Sequence, residues 1–416
     1  VFAIAERVSE ILGEKTGGTC GYRVQLDSCV SGQTRFEVIT EAILTKKLQS
    51  DPSLEGVSVV VIDEFHERSV HADLALAFLK EAMLLRDDLY VIVMSATMDT
   101  KAVSAYLGGA PVFSVSGRQF PVEITYMADA TPAQAVIREL SRAGGEDSAG
   151  FRNDGILVFL PGIGDIRRAR SELEGAVQAC DAEVLVLHSS VPLSEQRAVL
   201  SPQPAASPRR VILSSAIAET SLTVPCVTTV IDSGFARINR MNVSLGMETL
   251  VTERESLFSA EQRAGRAGRL MPGRCIRLWN KFDVLFERTP PEITRTDLVP
   301  LVLECAAWGV TAPAKLDWLD PPPRAAWESA QELLFSLGCI ARKKGTITQK
   351  GKAVLSLGVH PRLACAVLTG AENGCAERAA SCVLRFSNYA RAPLHQQKAF
   401  CADLVRRVKA CGVVPS

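Results

Sequence analysis

The sequence has no excess charge of either sign. Lys and Arg number 46 and Asp and Glu number 46, so the 416 residues carry no net charge. That excludes a globally basic field, and any nucleic-acid contact must come from local patches. No stretch approaches the apolar length of a membrane span, and no signal peptide is visible. The 12 cysteines are scattered and include no C-x₂-C pair. Several, such as Cys226, Cys305 and Cys365, sit in apolar surroundings and read as reduced core residues of a cytosolic protein. The first residue is Val1, not Met, and it lies inside a helical pattern from Val1 to Leu12. The chain therefore reads as beginning mid-domain.

Apolar residues make up 47% of the chain, enough for substantial cores. A chain of 416 residues exceeds one typical core, so two to four domains are expected. The informative stretch is Val57 to Ser69. Val59, Val60, Val61 and Ile62 predict a strand buried on both faces, as in a parallel α/β sheet. It runs into Asp63-Glu64-Phe65-His66-Glu67-Arg68-Ser69. Adjacent carboxylates at the carboxyl end of such a strand sit where open α/β sheets place ligands. One acid there can hold Mg²⁺ and the next can orient or deprotonate a water. The plain alternative is a solvated acidic turn. A zinc pattern fails, because His66 and His71 are five residues apart and leave a common helical face.

In chain order, Val1–Leu12 predicts an amphipathic helix ended by Gly13. Thr19–Leu26 and Arg35–Ile39 predict strands, and Thr40 is placed to cap the next helix. His71–Leu85 is an apolar helix. Leu89–Met94 is another buried strand, ending in Ser95-Ala96-Thr97. Strands alternating with helices predict a doubly wound sheet. The polar, Gly-rich run 141–150 breaks the pattern, which then restarts. Ile156–Leu160, Glu183–Leu187, Val211–Leu213 and Val227–Ile231 are its strands, with a Pro/Ser loop over Pro202–Pro208. Ser214–Ser221 follows a strand, so its hydroxyls and amides face the sheet's carboxyl edge. In Gln262–Arg269, Arg263, Arg266 and Arg269 recur every third residue with glycines between. This spacing predicts guanidinium groups along one helical face, open to close ligand approach and matched to phosphate oxygens. An ordinary basic helix face is the alternative.

Asp63-Glu64-Phe65-His66, Ser95-Ala96-Thr97, Ser214–Ser221 and Gln262–Arg269 occur in the order of motifs II, III, V and VI of superfamily 2 DEAH/RHA-type helicases. The chain resembles that family over nearly its whole length, and Phe65 with Glu67-Arg68-Ser69 looks most like the bacterial HrpB-type ATP-dependent helicases. The resemblance implies an α/β fold of two tandem RecA-like parallel-sheet domains, residues 1–127 and 128–280. A winged-helix-like domain, 281–360, and the start of a helical ratchet-like bundle, 361–416, would follow. Leu357 to Arg362 would be the join between these last two.

The family's roles carry over by position. Asp63 and Glu64 would hold Mg²⁺, with Glu64 activating the water. His66 would couple the nucleotide site to the second domain. Ser95 and Thr97, at the nucleotide, would link hydrolysis to domain movement. Gln262 and Arg263 resemble γ-phosphate contacts, and Arg266 and Arg269 arginine fingers. Arg7 resembles the arginine that stacks on adenine. Thr40 and Glu41 resemble the motif Ib nucleic-acid contact, Gly162 in Pro161-Gly162 that of motif IV, and Thr220 that of motif V. ATP would lie between the two domains, and the partner would be single-stranded or partly duplex nucleic acid, RNA in preference to DNA. A cytoplasmic, non-membrane monomer is expected.

The chain departs from the family pattern in three ways. It contains no G-x-x-x-x-G-K-[ST], the Walker A loop that cradles the β and γ phosphates, and no motif Ia. Both belong upstream of the opening helix, so an N-terminal truncation is inferred. Ala216 stands where motif V usually has Asn, and Ala42 where motif Ib often has Gly. Two other functions stay open: a catalytically inactive nucleic-acid-binding fragment, and a translocase that does not unwind. Without the amide nest of a P-loop, the phosphates lose their main cradle. The 416 residues expressed alone are therefore expected to show no nucleic-acid-stimulated ATP hydrolysis. Steady turnover by the purified polypeptide, abolished by Glu64→Gln, would contradict this.

Overall fold

The structure, a computed structural model, describes residues 1–412 except 97–99, 116, 118–119, 143–154, 203–206, 220–223, 243–246, 388, 391 and 393. It divides into two compact units. One comprises Val1–Val112 with Pro291–Ser416, the other Phe113–Pro290.

The amino-terminal part of the first unit runs α1 (Phe2–Leu12), β1 (Cys20–Val24), β2 (Asp27–Cys29), β3 (Phe36–Ile39), α2 (Glu41–Ser50), β4 (Val59–Ile62), α3 (Val70–Met83), β5 (Tyr90–Val93) and α4 (Thr100–Tyr106). Gly13 ends α1 at φ 70°, a left-handed cap that glycine adopts without strain. Ser69 caps α3, its side chain accepting from the Ala72 amide. Strand β1 pairs in parallel with β3 and antiparallel with β2, and β4 pairs in parallel with β5.

The pair β4–β5 corrects the expectation of strands buried on both faces. Val60 and Ile62 are buried, but Val59 is 48% exposed and Val61 43%. In β5, Tyr90 is 65% exposed and Ile92 47%. Val59 opposes Tyr90 and Val61 opposes Ile92, so these four residues share one face of the pair. The other face packs on α3, which is buried along most of its length.

The carboxy-terminal part of this unit is helical: α9 (Val299–Trp308), α10 (Arg324–Ser336), α11 (Gln349–Leu357), α12 (Pro361–Glu372), α13 (Ala376–Leu384) and α14 (Leu394–Ala410). It shares one apolar core with α2, α3 and β4. Phe78 of α3 stacks on Trp308 of α9 at 4.1 Å between ring centres. Arg68 binds both Asp73 and Asp320. An isolated antiparallel bridge joins Ile340 and Ile347 ahead of α11. His360 contacts Asp297 at 3.1 Å and caps α12.

The second unit runs β6 (Val122–Tyr126), α5 (Pro132–Arg142), β7 (Gly155–Phe159), α6 (Ile163–Ala179), β8 (Ala182–Leu187), α7 (Leu193–Leu200), β9 (Arg209–Ser214), β10 (Val227–Asp232), β11 (Phe235–Asn242), β12 (Met247–Arg254), α8 (Leu257–Gly265) and β13 (Gly273–Arg277). Six strands form a fully parallel sheet in the order β6-β13-β10-β7-β9-β8. Apolar cores cover both of its faces, and β7 is buried at every residue. This is the parallel α/β architecture expected from the sequence. Because β6 hydrogen-bonds to β13, the second unit begins ahead of the expected boundary at 127/128. The polar run from 141 opens inside α5, and 143–150 and most of the Pro/Ser loop lie outside the described residues.

Glu304 is buried on α9, and burial pushes its carboxyl up to about 7 despite the nearby Lys46 and Thr45. A raised carboxyl adds stability that is complete below its ordinary value and lost as pH rises through the folded value. Relative to Glu304→Gln, the protein should lose at most about 3 kcal/mol of unfolding free energy between pH 4.5 and pH 7. Urea denaturation of both proteins at pH 4.5 and pH 7.5 measures this; a difference independent of pH would contradict it.

Candidate functional site

In the first unit the acidic segment leaves β4 at its carboxyl end and turns at once. Glu64 sits at φ 51° and ψ 34°, and Arg68 at φ 49° and ψ 48°. Two non-glycine residues in the left-handed region are a local strain held by their surroundings. The anchor is Phe65, fully buried between them. Its amide donates to the Met94 carbonyl at 3.0 Å, tying the turn to the end of β5. Asp63 is exposed and its Oδ1 accepts from the Glu64 amide at 2.9 Å. His66 is nearly enclosed, with Nδ1 3.4 Å from Glu64 Oε2. Ser95 follows β5, and its buried Oγ has no hydrogen-bond partner among the described residues. Thr97 lies outside them.

Asp63, Glu64, His66 and Ser95 are thus gathered at one edge. The exposed Asp63 carboxylate is a hard oxygen donor of the kind Mg²⁺ takes, so the residues present fit that ion. Among the described residues no group of three or more His, Cys, Asp or Glu is placed to hold a metal alone. Arg7 points outward on α1, 72% exposed and paired with Glu10. Thr40 stands at the start of α2 but makes no side-chain cap, contrary to expectation. Glu41 takes a hydrogen bond from the Ser69 hydroxyl. Its carboxyl is held above the usual range by burial, reinforced by Glu67, Glu292 and Asp73.

In the second unit the arginines do not line one helix face. Helix α8 ends at Gly265, so Gln262 and Arg263 are helical, Arg266 is the C-cap and Arg269 lies beyond. Arg263 is 1% exposed. Its Nε donates to Glu219 at 2.9 Å and its Nη1 to Asp232 at 2.9 Å, and it is ion-paired with Glu255. The guanidinium also stacks 5.0 Å from the Phe159 ring centre. Burial, with Asp232 adjacent, pushes the Glu255 carboxyl up to about 10. Arg266 is buried and donates to the Glu219 carbonyl, whereas Arg269 is exposed. Gly268 serves packing: a Cβ there would meet the Phe120 carbonyl oxygen at 2.5 Å. Gly162 starts α6, and a Cβ on it would come within 3.0 Å of Arg237. Thr220 lies outside the described residues.

Sequence reasoning missed Glu219, Asp232 and Glu255. Glu219 lay within the Ser214–Ser221 run and Asp232 at the end of a predicted strand. Their common partner, Arg263, is visible only once the sheet brings them together.

Residues 148–271 match the family described as helicase conserved C-terminal domain. The ATP-dependent RNA helicase HrpB of Escherichia coli (strain K12) is 39% identical over 373 residues, covering 89% of this chain and 45% of that protein. The ATP-dependent RNA helicase HrpA of the same organism is 36% identical over 385 residues, covering 90% and 29%. The chain therefore spans less than half the length of either relative. A crystal structure of the Escherichia coli DEAH/RHA helicase HrpB aligns with a TM-score of 0.87 at 36% identity, covering 98% of this chain and 53% of that one. A second, of the Escherichia coli DExH-box NTPase HrpB, aligns at 0.82.

Motif order, the parallel sheet and these matches define the class: the chain belongs to the DEAH/RHA-type superfamily 2 helicases. Within that class it is similar to the HrpB type.

The two arginines should separate in stability. Arg263→Ala leaves buried carboxylates without their cation and should cost about 3–5 kcal/mol. Arg269→Ala, at an exposed position, should stay within about 0.5 kcal/mol. Chemical denaturation of both variants tests this; equal losses would contradict the buried cluster.

Proposed function

We propose that the full-length protein is an ATP-dependent helicase that couples hydrolysis to movement or unwinding of nucleic acid, RNA in preference to DNA. The observation that carries this reading is the strained Asp63–Glu64 turn at the carboxyl edge of β4. RNA is favoured because the relatives are named RNA helicases. Bound Mg²⁺ would supply charge to offset the phosphates. Asp63 would hold that ion, and Glu64 would orient and deprotonate the attacking water. His66 fixes the Glu64 side chain, and Ser95 and Thr97 sense the state of the nucleotide. Arg7 stacks on the base. Gln262, Arg266 and Arg269 serve phosphate charge, with Arg263 placing them. Thr40, Glu41, Gly162 and Thr220 contact the nucleic-acid backbone, so binding is largely independent of base sequence and weakens with salt. The four-part domain division, a cytoplasmic location and a monomeric state belong to the same reading.

In the full-length protein, Glu64→Gln should keep ATP binding and lose turnover, since the side chain keeps its size and loses its basicity. Arg269→Ala should lower turnover by about a thousandfold, the typical contribution of an arginine finger. Steady-state ATPase and equilibrium nucleotide binding decide this. Near-normal hydrolysis in Glu64→Gln would remove Glu64 from the mechanism.

A further inference from the structure

Cys339 and Cys365 bring their sulfurs to 3.8 Å in the helical part of the first unit. Both are free thiols. The two elements that carry them differ in freedom. Cys339 follows Gly338, whose φ of 73° turns the chain out of α10. The Cys339 amide donates to the Leu334 carbonyl at 2.8 Å. Its carbonyl accepts from the Thr348 amide at 2.9 Å and from the Thr348 hydroxyl at 3.0 Å. Gly351 packs against that same carbonyl and leaves no room for a Cβ. The backbone that bears the Cys339 thiol is thus fixed from both sides. Cys365 sits on α12, one turn in from Pro361. It is 7% exposed, whereas Cys339 is fully buried.

The contact between the thiols also separates them chemically. Donation from the Cys339 thiol holds the Cys365 thiol below its ordinary range, with Lys350 assisting against burial and Glu372. The same contact, together with burial, holds the Cys339 thiol up. A thiolate, not a thiol, is the form that attacks a peroxide. Cys365 is therefore the sulfur placed to react first, through its small exposed surface, and Cys339 is the neighbour within reach of the product.

We propose that Cys339 and Cys365 are a modification site, a pair that forms a reversible disulfide under peroxide, with Cys365 attacking and Cys339 resolving. The Cys365 thiolate attacks one peroxide oxygen and breaks the O–O bond. This gives a sulfenic acid and a hydroxide, which takes up a proton to become water. The Cys339 thiol then gives up its proton as its sulfur attacks the Cys365 sulfur. The S–S bond forms, the S–O bond breaks, and the hydroxyl leaves as water with that proton. The two thiols lose two electrons in all, and the peroxide gains them. The sulfurs close from contact to about 2 Å. With the Cys339 backbone held, that movement falls to the Cys365 side chain. The bond joins residues 26 apart, closes a loop containing α11, and ties the turn after α10 to α12. The proposal does not depend on the helicase reading.

The test treats the folded full-length protein with hydrogen peroxide, blocks remaining thiols with iodoacetamide, and maps a digest by mass spectrometry. The expected product is a linked pair of peptides carrying Cys339 and Cys365. It should be lighter by two hydrogens than the unblocked pair and should disappear with dithiothreitol. Two variants separate the roles. In Cys339→Ala, dimedone should trap a sulfenic acid at Cys365. In Cys365→Ala, dimedone should leave Cys339 unlabelled. A linked peptide absent at a dose that oxidises the exposed Cys180 would overturn the proposal, as would a link that forms only in urea. Dimedone labelling of Cys339 in Cys365→Ala would overturn the assigned order of attack. If neither variant folds, the unsubstituted protein still decides, because the linked peptide is read from it alone.

Discussion

Arg263 is buried among Glu219, Asp232 and Glu255, and the arrangement of the Gln262–Arg269 segment depends on that cluster. A guanidinium removed from water is tolerable only with good geometry and enough acceptors. Here the acceptors come from three places: the turn after β9, the end of β10 and the residue before the α8 cap. The cation is thereby a knot that joins two strand ends to one helix. The surplus of acid is relieved at Glu255, whose carboxyl burial and Asp232 push up to about 10.

This arrangement divides the labour among the three arginines. Arg263 is committed to the protein's own acids. Arg266 is buried and bonded to a main-chain carbonyl. Arg269 is exposed beyond the helix. Regular spacing in sequence gave them a common appearance, but α8 stops at Gly265, and after that point the three-residue interval no longer describes a face.

The first unit works by a different constraint. Its acids are presented by a turn with two left-handed non-glycine residues, pinned by buried Phe65 and by the hydrogen bond its amide donates to the Met94 carbonyl after β5. The turn needs a rigid footing, and α3 supplies it on one side of β4. The opposite side of β4 and β5 carries Val59, Val61, Tyr90 and Ile92 in the open. In the second unit, by contrast, helices and apolar side chains close both faces of the six-stranded sheet.

The sequence by itself determined the alternation of strands and helices, the acids at the end of β4 and the order of the motifs. Those features are local: a β-branched run or a glycine stop acts on its own neighbours. It also made Asp63, Glu64 and His66 candidates before any geometry was available. Only the tertiary structure decided that Val59 and Val61 face outward, that Thr40 caps nothing, and that Arg263 is enclosed while Arg269 is not. The physical reason is the same in each case. Burial and ion pairing depend on what packs opposite a residue, and the partners of Arg263 lie at 219, 232 and 255, brought to it by β9, β10 and the start of α8.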